Sequence, residues 1–257
     1  MRNRDKILFL GLAALTTAGA WLYRLRPYGR IPSPEGLDDP EVARAFGWVS
    51  RMPHMRLMRR LVAARAVRMA SQGEAVDLGC GPGQLAITLA HQAPELHVTG
   101  VDLSDEMLAQ AHENAECAGL ANRVSFRIGD AQQIPFPDCS LDLVVSTFSL
   151  HHWSDPIPVL NEVARVLRPG GSFLVFDLRR DMPALGYLLN WFATNIVVPP
   201  ALRRAQEPLG SRNAAYTLRE ATELAEQSHL TGWRVAAGPV WLIIEGITRK
   251  QIARRDA

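Results

Sequence analysis

A doubly wound α/β domain on a mostly parallel sheet is the fold this 257-residue chain predicts, and three observations predict it. Five short apolar, β-rich runs alternate with helix-forming stretches through the middle of the chain. The first run breaks into a glycine-rich turn, Gly79-Cys80-Gly81-Pro82-Gly83, directly ahead of a helical segment. The last two apolar runs flank Gly238-Pro239, as the strands of an antiparallel hairpin do. Alternating strands and helices imply parallel strands joined by right-handed crossovers. Five such runs and a closing hairpin make a seven-stranded sheet. With 47% apolar residues, the chain has material for one sizeable core.

Taken in order, the chain first presents seventeen uncharged, mostly apolar residues, 7–23, between Arg2, Arg4 and Lys6 on one side and Arg24 and Arg26 on the other. That is the short end of a bilayer span. An N-terminal hydrophobic helix over 1–26, serving as a membrane anchor, is expected. A cleaved signal peptide, with Ala18-Gly19-Ala20 as a small-x-small site, is the rival reading, and a buried helix the plainer one. Similar positive charge on both flanks leaves the orientation open. Residues 27–40 hold four prolines and two glycines and read as a linker. From 42 to 73 every formally charged residue is arginine, and Met55, Met58, Leu61, Val62, Ala66 and Met69 fall at helical spacing between them. Such a basic amphipathic helix suits contact with anionic headgroups, or is an ordinary solvated helix face.

The predicted strands are 75–78, 98–101, 124–128, 141–145 and 172–176, with helices at 84–93, 105–118 and 156–167 between them. A further helix at 217–229 precedes the hairpin pair 233–237 and 240–248. On such sheets ligands sit at the carboxyl ends of the strands, so the chemistry is expected just after each run. A net charge of +2 argues against a nucleic-acid binder held by bulk charge, and the arginines of 42–73 lack an aromatic stacking platform. Three cysteines share no metal-ligand spacing and leave one unpaired in any disulfide scheme, which fits a reducing compartment.

The glycine turn follows Asp77 in the pattern Asp-x-Gly-x-Gly-x-Gly. Glycines tolerate positive φ and let a ligand approach bare backbone, and the following helix start adds unpaired N–H groups. The dinucleotide fingerprint requires glycine where Gln84 stands, and an acid two residues ahead of the first glycine suits a ligand with an ammonium group. A turn that merely joins strand to helix is the plainer alternative. The run resembles the nucleotide-binding loop of class I S-adenosylmethionine-dependent methyltransferases. The stretches 141–146, Leu150-His151-His152-Trp153 and Leu167-Arg168-Pro169-Gly170-Gly171 bring it closer to the small-molecule group (type 11) that includes the ubiquinone and menaquinone C-methyltransferases. Recognisable motifs run from about residue 74 to 171.

That resemblance implies a methyltransferase domain over 41–257 with S-adenosylmethionine as co-substrate. Asp77 is then expected to meet the methionine part, directly or through water, over the backbone of Gly79, Cys80, Gly81 and Gly83. Asp102 lies about nineteen residues past Gly83 and would hold the ribose hydroxyls; an N-terminal cap is the other reading, although Ser104 alone can cap. Leu103 and Met107 would flank the adenine, and Asp130, with Ala131 beside it, would meet its exocyclic amine or else be a turn aspartate. The loop after the fourth strand would line the transfer pocket with Ser146, Thr147 and His151. His151 is the first candidate for a general base and His152 the second. Adjacent side chains diverge, so joint chelation by the two histidines is not expected, and no metal is implied. Helices ahead of the first strand often lid the site in this family, which gives Trp48, Met55 and Met58 a possible role. The apolar block over 182–215 stands where the family carries a variable substrate cover, or is plain core helix; as a cover it suits a lipophilic acceptor. A donor made in the cytosol favours a membrane-anchored protein with its catalytic domain in the cytoplasm. A nicotinamide-dependent oxidoreductase and a non-catalytic, membrane-tethered scaffold are the rival functions.

Overall fold

The computed structural model describes residues 29–32 and 39–248. The expected hydrophobic helix over 1–26, with its reading as an anchor, lies outside them. Among the described residues no helix is long and apolar enough to cross a membrane.

Two helices precede the sheet, α1 (Pro40–Ser50) and α2 (Pro53–Val67). They replace the single basic helix expected over 42–73. Pro53 has no N–H to donate and clashes with the preceding turn, so the first helix ends before it and the second starts on it. Asp39 caps α1 by accepting the Glu41 N–H at 2.7 Å. Residues 72 and 73 already belong to the sheet.

Seven strands form one sheet: β1 (Gln72–Leu78), β2 (Glu95–Asp102), β3 (Val124–Ile128), β4 (Leu141–Thr147), β5 (Leu167–Leu178), β6 (Trp233–Ala237) and β7 (Trp241–Ile247). Their order is β3-β2-β1-β4-β5-β7-β6, with the first five parallel and β7 antiparallel to both neighbours. Between the strands run α3 (Gln84–Gln92), α4 (Asp105–Cys117) and α5 (Pro156–Val166). Several strands exceed the apolar runs that predicted them. In β1 and β2 the polar ends Gln72 and Glu95 pair through the backbone ladder, which asks nothing of the side chains.

Alternate residues of the central strands feed two cores. Ala75, Leu143 and Val145 pack with Leu85, Leu89, Leu108 and Ala111 of α3 and α4, and with Val62 and Ala66 of α2. Val76, Leu78 and Val144 pack on the other face against Val159, Leu160 and Val163 of α5. Burying each such valine or leucine contributes about 1.5–3 kcal/mol. The strand order reverses beside β1, between β2 and β4, so the carboxyl ends of these strands open a crevice.

Beyond β5 the chain forms α6 (Ala184–Phe192), a π turn (Ala193–Val197), α7 (Pro200–Arg204) and α8 (Leu209–Ala214), then α9 (Leu218–Gln227), which carries a capping box from Thr217 and Glu220. The predicted cover over 182–215 is thus helical. Val198, Ala201 and Leu202 pack on Val42 of α1, with Phe46 and Val49 beside them. Leu185, Leu189, Phe192 and Ile196, spaced one turn apart, stay exposed.

Candidate active site

The glycine turn leaves β1 in a left-handed path: φ is +65° at Gly79, +50° at Gly81 and +72° at Gly83. Space excludes a side chain as firmly as conformation does. A Cβ on Gly79 would stand 2.2 Å from Ser149 Oγ, and one on Gly83 would stand 2.6 Å from the Phe126 ring. At Gly81 the surroundings are open, the nearest atom being Phe46 Cε1 at 3.8 Å from that position. Phe46, on α1, therefore lies over the turn. Trp48 is exposed instead, and Met58 packs into the core.

Asp77 is 1% exposed, and neither carboxylate oxygen has a hydrogen-bond partner of ordinary geometry. Burial pushes its pKa up to about 8; the Ala86 backbone N–H partly offsets this, and the charge of Asp102 adds to the rise. A buried carboxyl with so little to bind is costly, and it is the feature expected where a cationic group is to be received. Together with the bare backbone at Gly81, this fits the ammonium end of S-adenosylmethionine. Cys80 is buried, and burial pushes its thiol well up, with Asp77 and Asp102 adding to the effect. It is no nucleophile.

Asp102 ends β2 and accepts two backbone bonds, from Gly81 N at 2.8 Å and Ser104 N at 3.0 Å. Ser104 caps α4, its hydroxyl accepting the Met107 N–H at 3.4 Å. Asp102 is thus not the cap. Beside it Leu103 is exposed, whereas Met107 is fully buried and offers no surface in this conformation. Asp130 is exposed and accepts the Gln132 N–H at 2.8 Å, so its turn reading holds at the least, with Ala131 half-buried next to it. Ser146 is wholly buried and donates to the Leu78 carbonyl at 2.8 Å, tying β4 to β1 rather than lining a pocket. Thr147 is half-buried.

After β4, Phe148 takes φ +57° and turns the chain sharply. Ser149 then donates to the Gly79 carbonyl at 3.2 Å, which ties this turn to the glycine loop. His151 follows, 2% exposed. Its Nδ1 lies 2.8 Å from Asp177 Oδ1, and its backbone N–H donates to Asp177 Oδ2 at 2.9 Å. Asp177, at the end of β5, also accepts the Leu178 N–H at 2.6 Å. With Nδ1 as donor, the neutral ring presents its lone pair at Nε2, which is buried and has no partner. The His152 ring lies 4.1 Å from that of His151. Burial, with help from His151, lowers its pKa to about 3, so it stays neutral in the working pH range.

Two residues here went unremarked in the sequence. Asp177 carries the same signal as Asp77 and Asp102, an acid at the carboxyl end of an apolar strand. Arg30 has no such signal. It donates from Nε to the Ala214 carbonyl at 2.7 Å and from Nη2 to the His151 carbonyl at 3.1 Å, with its guanidinium 4.5 Å over the Tyr216 ring. Among the described residues no cluster of three or more potential metal ligands occurs.

A family profile described as a methyltransferase domain matches residues 76–175, from within β1 to within β5. The demethylmenaquinone methyltransferase of Lactiplantibacillus plantarum is 31% identical over 198 residues, 75% of this chain and 78% of its own. The chain belongs to the class I S-adenosylmethionine-dependent methyltransferases. This methyltransferase is also 38% identical to the 27-O-demethylrifamycin SV methyltransferase of Amycolatopsis mediterranei over 122 residues, 48% of this chain; the match spans 44% of that relative's length. In fold it is similar to Haemonchus contortus phosphoethanolamine N-methyltransferase 2, solved with S-adenosyl-L-methionine, with a TM-score of 0.65 at 18% identity over 87% of this chain and 61% of that one. Membership of this family makes S-adenosylmethionine the methyl donor, and the nicotinamide reading falls.

Proposed function

We propose that this methyltransferase acts on a small, lipophilic acceptor whose proton is taken by His151. The observation that carries the reading is the buried Nε2 of His151, which lacks a partner while Asp177 holds the other side of the ring. Bound S-adenosylmethionine supplies a sulfonium methyl already activated for displacement. Asp77 holds the ammonium of the donor, and the backbone of Gly79, Gly81 and Gly83 gives its methionine part room. Asp102 takes the ribose hydroxyls. Asp130, with one oxygen on Gln132, receives the adenine amine with its other, and Leu103 covers the ring.

The acceptor's proton passes to His151 Nε2, its freed electron pair attacks the methyl carbon in line, and the carbon–sulfur pair stays on sulfur. Asp177 keeps Nδ1 as the donor and stabilises the imidazolium that forms. Phe46 lies over the turn at Gly81, and alignment of donor and acceptor supplies much of the rate. The apolar cover and its exposed stripe support a lipophilic acceptor. Attachment to a membrane through residues 1–26, with the catalytic domain on the cytoplasmic side, belongs to the same reading.

The test is methyl transfer from radiolabelled S-adenosylmethionine by the full chain, offered a lipid extract and an aqueous extract in parallel. Label is expected in the organic phase, and His151→Gln is expected to slow its appearance about 10²-fold or more while S-adenosylhomocysteine binding is unchanged. Label confined to the aqueous phase overturns the lipophilic acceptor. An undiminished His151→Gln rate overturns the base.

A further inference from the structure

The N-terminal arginines are not evenly dispersed. Arg51, Arg56, Arg59 and Arg60 converge with Thr88 and His91 on one cleft of about 490 Å³ between α2 and α3. Among the described residues no acidic one lines it. Elsewhere arginines in such company are neutralised: Arg65 and Arg234 share Glu245, Arg165 pairs with Glu162 and Asp138, and Arg180 with Glu220. None of the four cleft arginines has an ion-pair partner among the described residues.

Arg59 turns this from a charged surface into a built site. It is 6% exposed, and its Nη1 donates to the Ser50 carbonyl at 2.5 Å, which fixes the guanidinium in the wall of the cleft. Its buried Nε has no partner. Burial, with the charge of Arg56 beside it, lowers its pKa to about 10. A buried cation with an unmet donor and like-charged neighbours is costly unless an anion joins it.

We propose that the α2–α3 cleft binds a phosphate group. Guanidinium forks match phosphate oxygens in pairs of parallel hydrogen bonds, and Thr88 and His91 add short polar groups on the α3 side. The site is separate from that of the methyl donor: none of Asp77, Gly79, Gly81 and Asp102 lines it, and its nearest approach in sequence is Gln84. Leu57 and Leu61, 60% and 63% exposed and one turn apart on α2, follow Arg56 and Arg60 in sequence. Apolar and basic residues side by side accommodate a phosphate carried on a lipid as well as a soluble one. The inference does not depend on the identity of the methyl acceptor.

Calorimetric titration of the full chain with inorganic phosphate, with and without saturating S-adenosylhomocysteine, tests it. Arg56→Gln/Arg60→Gln changes two exposed side chains and leaves Arg59 in place; it is expected to weaken phosphate binding about tenfold or more. The control Arg203→Gln/Arg219→Gln removes the same charge far along the chain and is expected to leave affinity unchanged. Absence of phosphate binding, equal losses in both variants, or displacement of phosphate by S-adenosylhomocysteine overturns the proposal, the last by assigning the cleft to the donor. Given specific binding, sedimentation with phosphatidylcholine vesicles, with and without phosphatidylglycerol, separates the sources. A preference for the anionic vesicles that the Arg56/Arg60 variant loses identifies a lipid headgroup, and a preference that the variant keeps identifies a soluble phosphate.

Discussion

Replacing Asp77 with Asn probes how the donor pocket is made at the expense of the fold. The carboxyl is buried with only the Ala86 backbone N–H to offset its desolvation, and its pKa rises from an ordinary 3.8 to about 8. Below pH 3.8 it is neutral in folded and unfolded chains alike and contributes no penalty. Between 3.8 and about 8 the unfolded chain is ionised while the folded one holds its proton. Folding then takes up a proton, and stability falls by about 1.4 kcal/mol for each pH unit, levelling off above about 8. At pH 7 the loss is about 4 kcal/mol, and at pH 5 about 1.5 kcal/mol. Asn is nearly isosteric, buries a comparable neutral polar group and never ionises. The ligand-free Asp77→Asn protein is therefore expected to gain up to about 4 kcal/mol at pH 7, or roughly 8–16 °C in Tm for a chain of this size. At pH 5 the gain shrinks by more than half. Donor binding moves the other way: Asn cannot give up a proton to meet the incoming ammonium as a carboxylate, so S-adenosylhomocysteine binds about tenfold or more weakly. Thermal melts at pH 5, 6 and 7 and calorimetry on the same samples measure both. A stability gain that does not grow with pH, or an unchanged ligand affinity, refutes the reasoning.

Asp177→Asn is expected to lower turnover about 10²-fold or more with S-adenosylhomocysteine affinity unchanged, because it leaves the glycine turn intact but frees the His151 ring; stopped-time assays beside calorimetry check this. Gly79→Ala places a Cβ 2.2 Å from Ser149 Oγ at φ +65°, so it is expected to lose about 1–3 kcal/mol of stability together with donor affinity, and Ser149→Ala in the same chain restores only part of each. His152→Gln is expected to leave every inflection of the pH–rate profile between pH 5 and 9 in place, since His152 titrates near 3. Glu245 is held below the usual carboxylate range by Arg65 and then Arg234, so its stabilisation is present above the unfolded pKa and is lost as pH falls through the folded one. Glu245→Gln is expected to cost about 1–3 kcal/mol at pH 7, discounted for the exposure of Arg234, and the difference in Tm from the parent should shrink as pH falls through the lowered folded pKa of Glu245.

The sheet was legible because its central strands are buried on both faces and so are written as apolar runs. β3 falls on the residues that predicted it, 124–128, and the hairpin strand β6 likewise on 233–237. Strand ends held by backbone pairing alone, such as Gln72 to Glu74, carry no such mark, and Pro53 was outweighed by the periodicity on either side of it. At the site, residues fixed by local chain geometry were readable: the glycines, Asp102 after β2, Asp130 in its turn. Residues whose place depends on contacts distant in sequence were not. Ser146 reads like a pocket residue until its hydroxyl is found on the Leu78 carbonyl 68 positions away, and Asp177 gains its meaning only from His151, 26 positions before it. Arg30 lies in a segment that composition marks as linker, yet it is pinned to Ala214, 184 positions on.

That pin sets a length. Arg30 stands seven chain steps beyond Tyr23, the last of the apolar run, and a fully extended chain advances at most about 3.6 Å per residue. The chain therefore reaches at most about 25 Å from the Arg30 backbone to the last residue of that run, and the Arg30 guanidinium rests on the carbonyl of His151. In the anchored protein proposed above, glycines and serines inserted between residues 24 and 28 leave the described contacts in place and widen only the volume that the active site samples.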